Sequence, residues 1–253
     1  MRHTTFRRAL RGGEPLVGTF MKTPALDVLE VLIHAGLDFV CLDAEHGPFD
    51  RAAINACGAL ARATGFPLLV RVPSAAPDHI GAALDMGATG VVVPHVTDAA
   101  MAARVARAAR FGPDGRGFAG STRWAGLGGT NMADLLARSE HETVVIAQIE
   151  DPDAVAAAPA IAATDGIDAL FLGPADLSVA LGKTDQSSPE LHDAFARVGQ
   201  AAKAAGKGYA TFVTDAPAGH ALAKHGVNLW FVASEQAWII AGARAAKAGL
   251  APD

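Results

Sequence analysis

Eight short apolar runs alternate with eight longer helical patterns along this chain, and this alternation constrains the fold more than any other feature. Most of the runs are continuously apolar, as expected for parallel strands that are buried on both faces. Strict alternation of strand and helix is typical of parallel βαβ units. We predict strands over 16–20, 38–43, 67–72, 89–94, 143–150, 168–173, 207–213 and 228–233, and helices over 24–35, 50–63, 77–86, 98–110, 153–163, 189–205, 215–225 and 234–248.

Eight such units in 253 residues predict an α/β fold, a (β/α)8 TIM barrel, as one domain over residues 1–253. An apolar content of 51% supplies a sizeable core for it. The alternative is an open, doubly wound sheet. No G-x-G-x-x-G motif follows the first predicted strand, which counts against a dinucleotide-binding sheet.

Charge and hydropathy exclude several classes of partner. The net charge is -5, and the chain has no basic run, so we expect no nucleic-acid partner. The apolar runs are strand-sized, far shorter than the roughly 20 residues of a membrane-spanning helix, so we expect no membrane partner. The first residues lack the apolar core of a signal peptide, which predicts a cytoplasmic protein. Cys41 and Cys57 have no metal-site spacing, and we expect reduced core thiols.

Polar side chains gather where the predicted strands end. In a barrel the active site lies at the carboxyl ends of the strands. Strands two, three, five and six carry most of the ionisable residues found there. In chain order the strand ends present Phe20, Met21 and Lys22; Asp43, Glu45 and His46; Arg71; Gln148 and Glu150; Gly173, Pro174, Ala175 and Asp176; Phe212 and Thr214; and Ser234 and Glu235.

Glu150 and Asp176 are the sharpest pair in this set. Two carboxylates on adjacent strands cannot both stay ionised close together without a cation. Oxygen ligands in an incomplete shell suit Mg²⁺ or Mn²⁺, with Co²⁺ as a third option, so the pair predicts a divalent-metal site. The alternative is that each acid only caps the helix that follows it. For Glu150 that alternative leaves the adjacent Gln148 unexplained.

His46 and Arg71 are the candidate groups for proton transfer and charge stabilisation. His46 follows Asp43 and Glu45 directly after a buried strand, a position that favours a general base over an ordinary surface histidine. Arg71 ends an apolar strand, where its charge must be paired or must face a site. A guanidinium there suits a substrate carboxylate or a developing enolate oxygen, and a structural salt bridge is the alternative.

The lysines and one long loop complete the picture. A Schiff-base aldolase needs a desolvated lysine in the pocket. Only Lys22 follows a strand at the active-site end, and we expect it in a turn rather than inside the barrel, which favours a metal-based mechanism.

Residues 111–129 form a glycine-rich connection. Such a loop is either a surface excursion or an ordered cover for an active site, its own or a neighbour's.

Together these motifs resemble the HpcH/HpaI aldolase family. The shared segments, in order, are D-x-E-H-x-P at 43–48, V-R-V-P around Arg71, LDMGATGVVVPHV, Q-I-E at 148–150 and F-L-G-P-A-D-L-S at 171–178. The resemblance covers nearly the whole chain, and the joint occurrence of the segments makes it specific. It implies a (β/α)8 barrel in a homo-oligomer, usually a hexamer, whose C-terminal helix packs on a neighbouring barrel.

The resemblance also implies roles for individual residues. Glu150 and Asp176 would be the metal ligands, and Arg71 would stabilise the enolate oxygen. His46 would be the base, and Asp43, in the same motif, would be a further catalytic residue. Asp85 would raise the basicity of the histidine, although our topology puts it at the far end of its own barrel and so points to a neighbour's site. The expected substrate contacts are Gln148, Gly173, Pro174, Ala175, Phe20 and Phe212.

We therefore expect an aldehyde-lyase that makes or cleaves the bond between a 2-oxo acid and a small aldehyde through a metal-stabilised enolate. Pyruvate or hydroxypyruvate is the expected donor. Phe20 stands where some members carry tryptophan, and Phe212 where some carry a smaller side chain, so the substrate preference stays open. Two alternatives remain at this point. One is a lyase of the citramalyl-CoA or malyl-CoA type, and the other is a catalytically silent barrel that binds 2-oxo acids.

Overall fold

A closed barrel of eight parallel strands forms the centre of the molecule. The structure is a computed structural model and describes residues 2–250. Each strand pairs with its neighbours in sequence, and β1 closes the barrel against β8, which confirms the predicted fold. The strands are β1 (Leu16–Met21), β2 (Phe39–Asp43), β3 (Leu68–Arg71), β4 (Gly90–Val93), β5 (Val144–Ile149), β6 (Ala169–Leu172), β7 (Gly208–Val213) and β8 (Leu229–Ser234).

Helices surround this barrel, and three of them were not predicted: α1, α6 and α8. Residue 1 and residues 251–253 of the predicted domain lie outside the described residues. No helix within residues 2–250 combines the length and apolarity needed to cross a membrane. The helices are α1 (His3–Arg11), α2 (Leu26–His34), α3 (Arg51–Thr64), α4 (Pro77–Asp85), α5 (Ala99–Ala109), α6 (Met132–Glu142), α7 (Pro152–Ala162), α8 (Pro174–Ala180), α9 (Pro189–Ala204), α10 (Ala216–Leu222) and α11 (Glu235–Leu250).

The alternation of side chains along each strand decides which residues reach the barrel interior. In β5, Val144 and Ile146 belong to the interior cluster, whereas Val145 and Ala147 pack against the surrounding helices. Gln148 continues the interior row at the carboxyl end of the strand. The same period of two brings one side chain from each of several strands to the open end of the barrel.

Helix α1 closes the opposite end of the barrel. Phe6 and Leu10 are fully buried and belong to the interior cluster. The side-chain amide of Asn228 donates to the Leu10 carbonyl at 3.0 Å, and Nε of Arg7 lies 2.7 Å from Oδ1 of the buried Asp168. With its amino end plugged in this way, the described barrel opens at the carboxyl ends of the strands.

The glycine-rich loop 111–129 lies at this plugged end. It connects the end of α5 to α6, which precedes the start of β5. Trp124 is buried, and its backbone N–H donates to the carbonyl of Asp85 at 3.3 Å. The alternative that the loop covers its own active site is therefore wrong, because the two lie at opposite ends of the barrel. Its contribution to a neighbour's site stays a prediction.

Candidate active site

One cavity opens at the carboxyl ends of the strands, with a volume of about 410 Å³. It collects most of the predicted site residues. Asp43 and Glu150 lie behind its wall, in contact with residues that line it. Its lining residues are Phe20, Lys22, His46, Arg71, Gln148, Phe171, Gly173, Pro174, Ala175, Asp176, Phe212, Thr214, Ala233, Ser234 and Ala237.

A buried ion pair between Arg71 and Asp43 forms one wall of this cavity. Nε of Arg71 donates to Oδ1 of Asp43 at 3.0 Å, and Nη2 donates to Oδ2 at 2.7 Å. Burial alone would raise the pKa of Asp43, but the hydrogen bonds and charge of Arg71 hold that pKa below its usual value. The structural salt bridge that was the alternative for Arg71 therefore exists. It leaves Nη1 of Arg71 without a bond to Asp43, and Arg71 still lines the cavity.

Aromatic rings form the floor next to Arg71. The guanidinium carbon lies 4.4 Å from the centroid of the Phe20 ring. This cation–π contact holds the guanidinium above the aromatic floor. Phe20 in turn packs against Phe171, Phe212 and Phe231, with centroid separations of 6.1, 6.4 and 4.9 Å. The cavity thus has an apolar base and a cationic wall, which suits a small acid with a short carbon chain.

His46 and Glu45 stand above the ion pair. The backbone N–H of His46 donates to Oδ1 of Asp43 at 3.1 Å, and the imidazole is half exposed at the cavity rim. Oε2 of Glu45 lies 3.3 Å from Nε of Arg71 and 3.7 Å from Nε2 of His46. Burial raises the pKa of Glu45, and the charge of Arg71 opposes that rise. The imidazole is therefore close to a carboxylate and accessible from the cavity.

Glu150 is held by two groups on its two oxygens. Only 2% of the residue is exposed. Oε1 accepts the backbone N–H of His95 at 2.7 Å, and Oε2 accepts the side-chain amide of Gln148. Asp151 occupies the N-cap position of α7, so the structure does not support the alternative that Glu150 caps this helix. A Cβ atom at Gly173 would lie 3.1 Å from Oε2 of Glu150, which favours glycine at that position.

The residues around Glu150 fit a hard divalent cation. Asp176 lies in the first turn of α8 and lines the cavity. Oε1 of Gln148 is buried without a hydrogen-bond partner. This oxygen lies next to the Glu150 carboxylate and could serve as a further ligand for a cation. Within residues 2–250 no three His, Cys, Asp or Glu side chains could together hold a metal. Two carboxylates and an amide oxygen suit Mg²⁺ or Mn²⁺, because these ions keep several waters. They suit Zn²⁺ less well, because Zn²⁺ takes at least three protein ligands.

Asp85 lies at the end of the barrel where the predicted topology placed it, whereas Lys22 lies at the cavity. Asp85 ends α4 at the plugged end of its own barrel and pairs with Arg116, so it is not part of this cavity. Lys22 lies outside the strand, directly after β1, as expected, and its side chain lines the cavity. Its side chain is 37% exposed and Nζ lies 3.7 Å from Oδ2 of Asp43, so it lacks the desolvated surroundings of a Schiff-base lysine.

His95 belongs to the site but was not singled out from the sequence. It follows β4, and Nδ1 lies 3.2 Å from Oε1 of Glu150. The charges of Glu150 and Asp151 raise the pKa of His95, although burial opposes that rise. The only signal in the sequence was a histidine directly after an apolar strand, in V-V-V-P-H, the same signal that singled out His46.

Comparisons with known proteins agree with this geometry. The family model described as HpcH/HpaI aldolase/citrate lyase matches residues 16–241. A hydroxypyruvate/pyruvate aldolase of Pseudomonas aeruginosa is 35% identical over 79% of this chain and 77% of its own length. A 4-hydroxy-2-oxovalerate aldolase of Novosphingobium aromaticivorans is 38% identical over 73% and 70%. An HpcH/HpaI aldolase/citrate lyase family protein from Burkholderia cenocepacia has a TM-score of 0.89 at 35% identity, covering 96% of this chain and 97% of its own.

Proposed function

The chain belongs to the HpcH/HpaI aldolase/citrate lyase family, and from this premise we propose that it is a divalent-metal-dependent class II aldolase. It makes or cleaves the carbon–carbon bond between a 2-oxo acid, pyruvate or hydroxypyruvate, and a small aldehyde. The observation that carries this proposal is that one cavity of about 410 Å³ combines a guanidinium, an imidazole and the Asp176 carboxylate on an aromatic floor, with the Glu150 carboxylate held behind its wall by Gln148.

Glu150 and Asp176 hold the cation in this proposal. When bound, a divalent cation supplies Lewis-acid polarisation of the keto oxygen. Gln148 and the backbone of Gly173–Ala175 bind the 2-oxo acid. The partnerless oxygen of Gln148 and the space that Gly173 leaves beside Glu150 both support this assignment.

Arg71 and His46 perform the steps that involve charge and proton. Arg71 stabilises the negative charge that develops on the keto oxygen of the donor, and Asp43 fixes the direction of its guanidinium. His46 removes the proton from C3 of the donor, directly or through a water molecule, and returns it in the cleavage direction. Phe20 and Phe212 bound the space for the aldehyde.

The working form in this proposal is a homo-oligomer, a hexamer by family resemblance. In α11 only Glu235 is buried, whereas Trp238, Ile239 and Ile240 are exposed. A helix with such an exposed apolar face is typical of one that packs on another subunit. Asp85, remote from its own cavity, then acts near the histidine of a neighbouring subunit. Two buried free cysteines are consistent with a reducing compartment, the cytoplasm.

Replacement of one ligand tests the metal assignment. We expect Asp176→Ala to lower metal-dependent aldol cleavage by at least about 100-fold, since even outer partners of a metal ligand often cost 10–100-fold. Asp153→Ala is the matched control, because Asp153 is likewise an exposed acid in the first turn of a helix that follows a strand. Turnover is measured with a coupled pyruvate assay, and circular dichroism checks the fold. Wild-type turnover in Asp176→Ala would contradict the assignment.

A further inference from the structure

His95 has a backbone conformation that few residues with a side chain adopt. Its φ is +53°, in the left-handed region, and it lies two residues after Val93, the last residue of β4. We propose that His95 is a positioning residue for Glu150, and that it acts through its backbone N–H, which the left-handed conformation directs at Oε1. The inference rests on the proposed function, because it takes Glu150 as a metal ligand.

Two successive backbone N–H groups in this turn donate hydrogen bonds to residues at the end of β5. The N–H of His95 donates to Oε1 of Glu150 at 2.7 Å, and the N–H of Val96 donates to the carbonyl of Gln148 at 3.1 Å. In an extended strand, neighbouring N–H groups point to opposite sides. A left-handed residue lets both reach the same neighbouring strand, so the conformation of His95 and the support of Glu150 have one cause.

The backbone of His95 contributes more than its ring. Nδ1 is close to the same carboxylate oxygen, at 3.2 Å, and to Oδ2 of Asp151, at 3.5 Å. However, 61% of the His95 side chain is exposed, so water and salt screen this ion pair. The bond from the N–H to the same oxygen is shorter, at 2.7 Å, and it does not depend on the position of an exposed side chain.

Support from His95 fixes the orientation of the Glu150 carboxylate. Oε1 is held by the His95 amide and Oε2 by the Gln148 side chain, so the group cannot rotate freely about its last bond. A carboxylate oxygen that accepts one hydrogen bond keeps a second lone pair for a cation. Outer partners that orient metal ligands in this way are commonly worth about 10–100-fold in metal affinity.

Substitutions at His95 separate the backbone from the ring. Left-handed φ values suit glycine and are tolerated by asparagine, but they are strongly disfavoured for β-branched residues. His95→Gly and His95→Asn remove the imidazole and keep the backbone conformation. His95→Val removes the imidazole and opposes that conformation. If the valine variant does not fold, His95→Ala is tested in its place. Metal-stripped protein is titrated with Mn²⁺, and the free ion is followed by electron paramagnetic resonance.

Leu127 provides the matched control. It is another left-handed residue with a side chain, φ +60°, and it is 70% exposed in the loop at the plugged end of the barrel. Leu127→Val therefore introduces the same backbone conflict far from the cation site. We expect it to leave the Mn²⁺ dissociation constant unchanged.

The expected result is an approximately tenfold or larger rise in the Mn²⁺ dissociation constant for His95→Val. His95→Gly and His95→Asn should stay within about threefold of wild type, the usual size of a surface effect. An equal loss in all three variants would assign the effect to the ring and overturn the inference, as would no loss in His95→Val. Glu150→Gln distinguishes the two levels: if it binds Mn²⁺ as tightly as wild type, the proposed metal site itself is wrong.

Discussion

Asp43 shows how a single buried carboxylate organises the active site. It is fully buried, and it accepts hydrogen bonds from the Arg71 guanidinium and from the His46 backbone. Because its pKa is lower in the folded protein than in the unfolded chain, the carboxylate stabilises the fold at any pH above its ordinary value of 3.8. This contribution is lost as the pH falls from 3.8 through the depressed folded value.

Replacement of Asp43 tests that contribution. We expect Asp43→Asn to lower the free energy of unfolding at pH 7 by about 3 kcal/mol, because Arg71 stays charged and loses its carboxylate partner. Urea unfolding at fixed protein concentration measures the difference, with Asp98→Asn, an N-cap aspartate of α5, as the control. The gap between wild type and Asp43→Asn should close below pH 3.8. A gap that does not change with pH would show that the charge of Asp43 contributes nothing.

At the scale of the element, periodicity carried most of the information. All eight predicted strands exist, because a buried parallel strand needs an unbroken apolar run and the chain provides eight. Of the three helices that were not predicted, α1 and α8 were missed for different reasons. The apolar side of α1 is only Phe6, Ala9 and Leu10 among charged residues, and α8 is a seven-residue helix directly after a strand.

The part of the site that lies at strand ends was predictable, and the part that depends on loop conformation was not. Strand ends identify which residues face the cavity, and this gave Arg71, Gln148 and Asp176. Strand periodicity says nothing about loop conformations. For that reason the left-handed turn at His95 was not foreseen. The glycine-rich loop lies between a helix and the next strand, so the order of the elements is enough to assign it to the amino end of the barrel.

Helix α11 carries a prediction about assembly. We expect Ile239→Glu to lower the mass of the particle in solution, because the new charge would be buried between subunits. Ala241→Glu is the control, since at 3.6 residues per turn its side chain points about 200° away from that of Ile239. Light scattering after gel filtration measures the mass, and a subunit weighs 25.8 kDa. An unchanged mass for Ile239→Glu would show that this face of α11 is not an interface.

The whole molecule combines a rigid barrel with a chemically asymmetric open end. Helix α1 plugs one end, and the cavity occupies the other. The Arg71 guanidinium at the end of β3 and the Asp176 carboxylate after β6 both line the cavity, and Glu150, after β5, lies behind its wall. In the proposed function, a 2-oxo acid bound here would have its keto oxygen near the charge of Arg71 and its C3 near the imidazole of His46. Donor activation would then be the step that this arrangement serves, whichever aldehyde follows.

Proton exchange at the donor tests this account most directly. Metal-stripped protein is incubated with pyruvate in D₂O, with Mg²⁺, with Mn²⁺ or without metal, and the methyl signal is followed by nuclear magnetic resonance after the paramagnetic ion is removed. We expect the methyl protons to exchange only when a metal is present, and His46→Gln to slow the exchange at least about 100-fold. Exchange without metal would contradict the account and return attention to Lys22. No exchange with either pyruvate or hydroxypyruvate would contradict it as well, and would favour a barrel that binds 2-oxo acids without reacting.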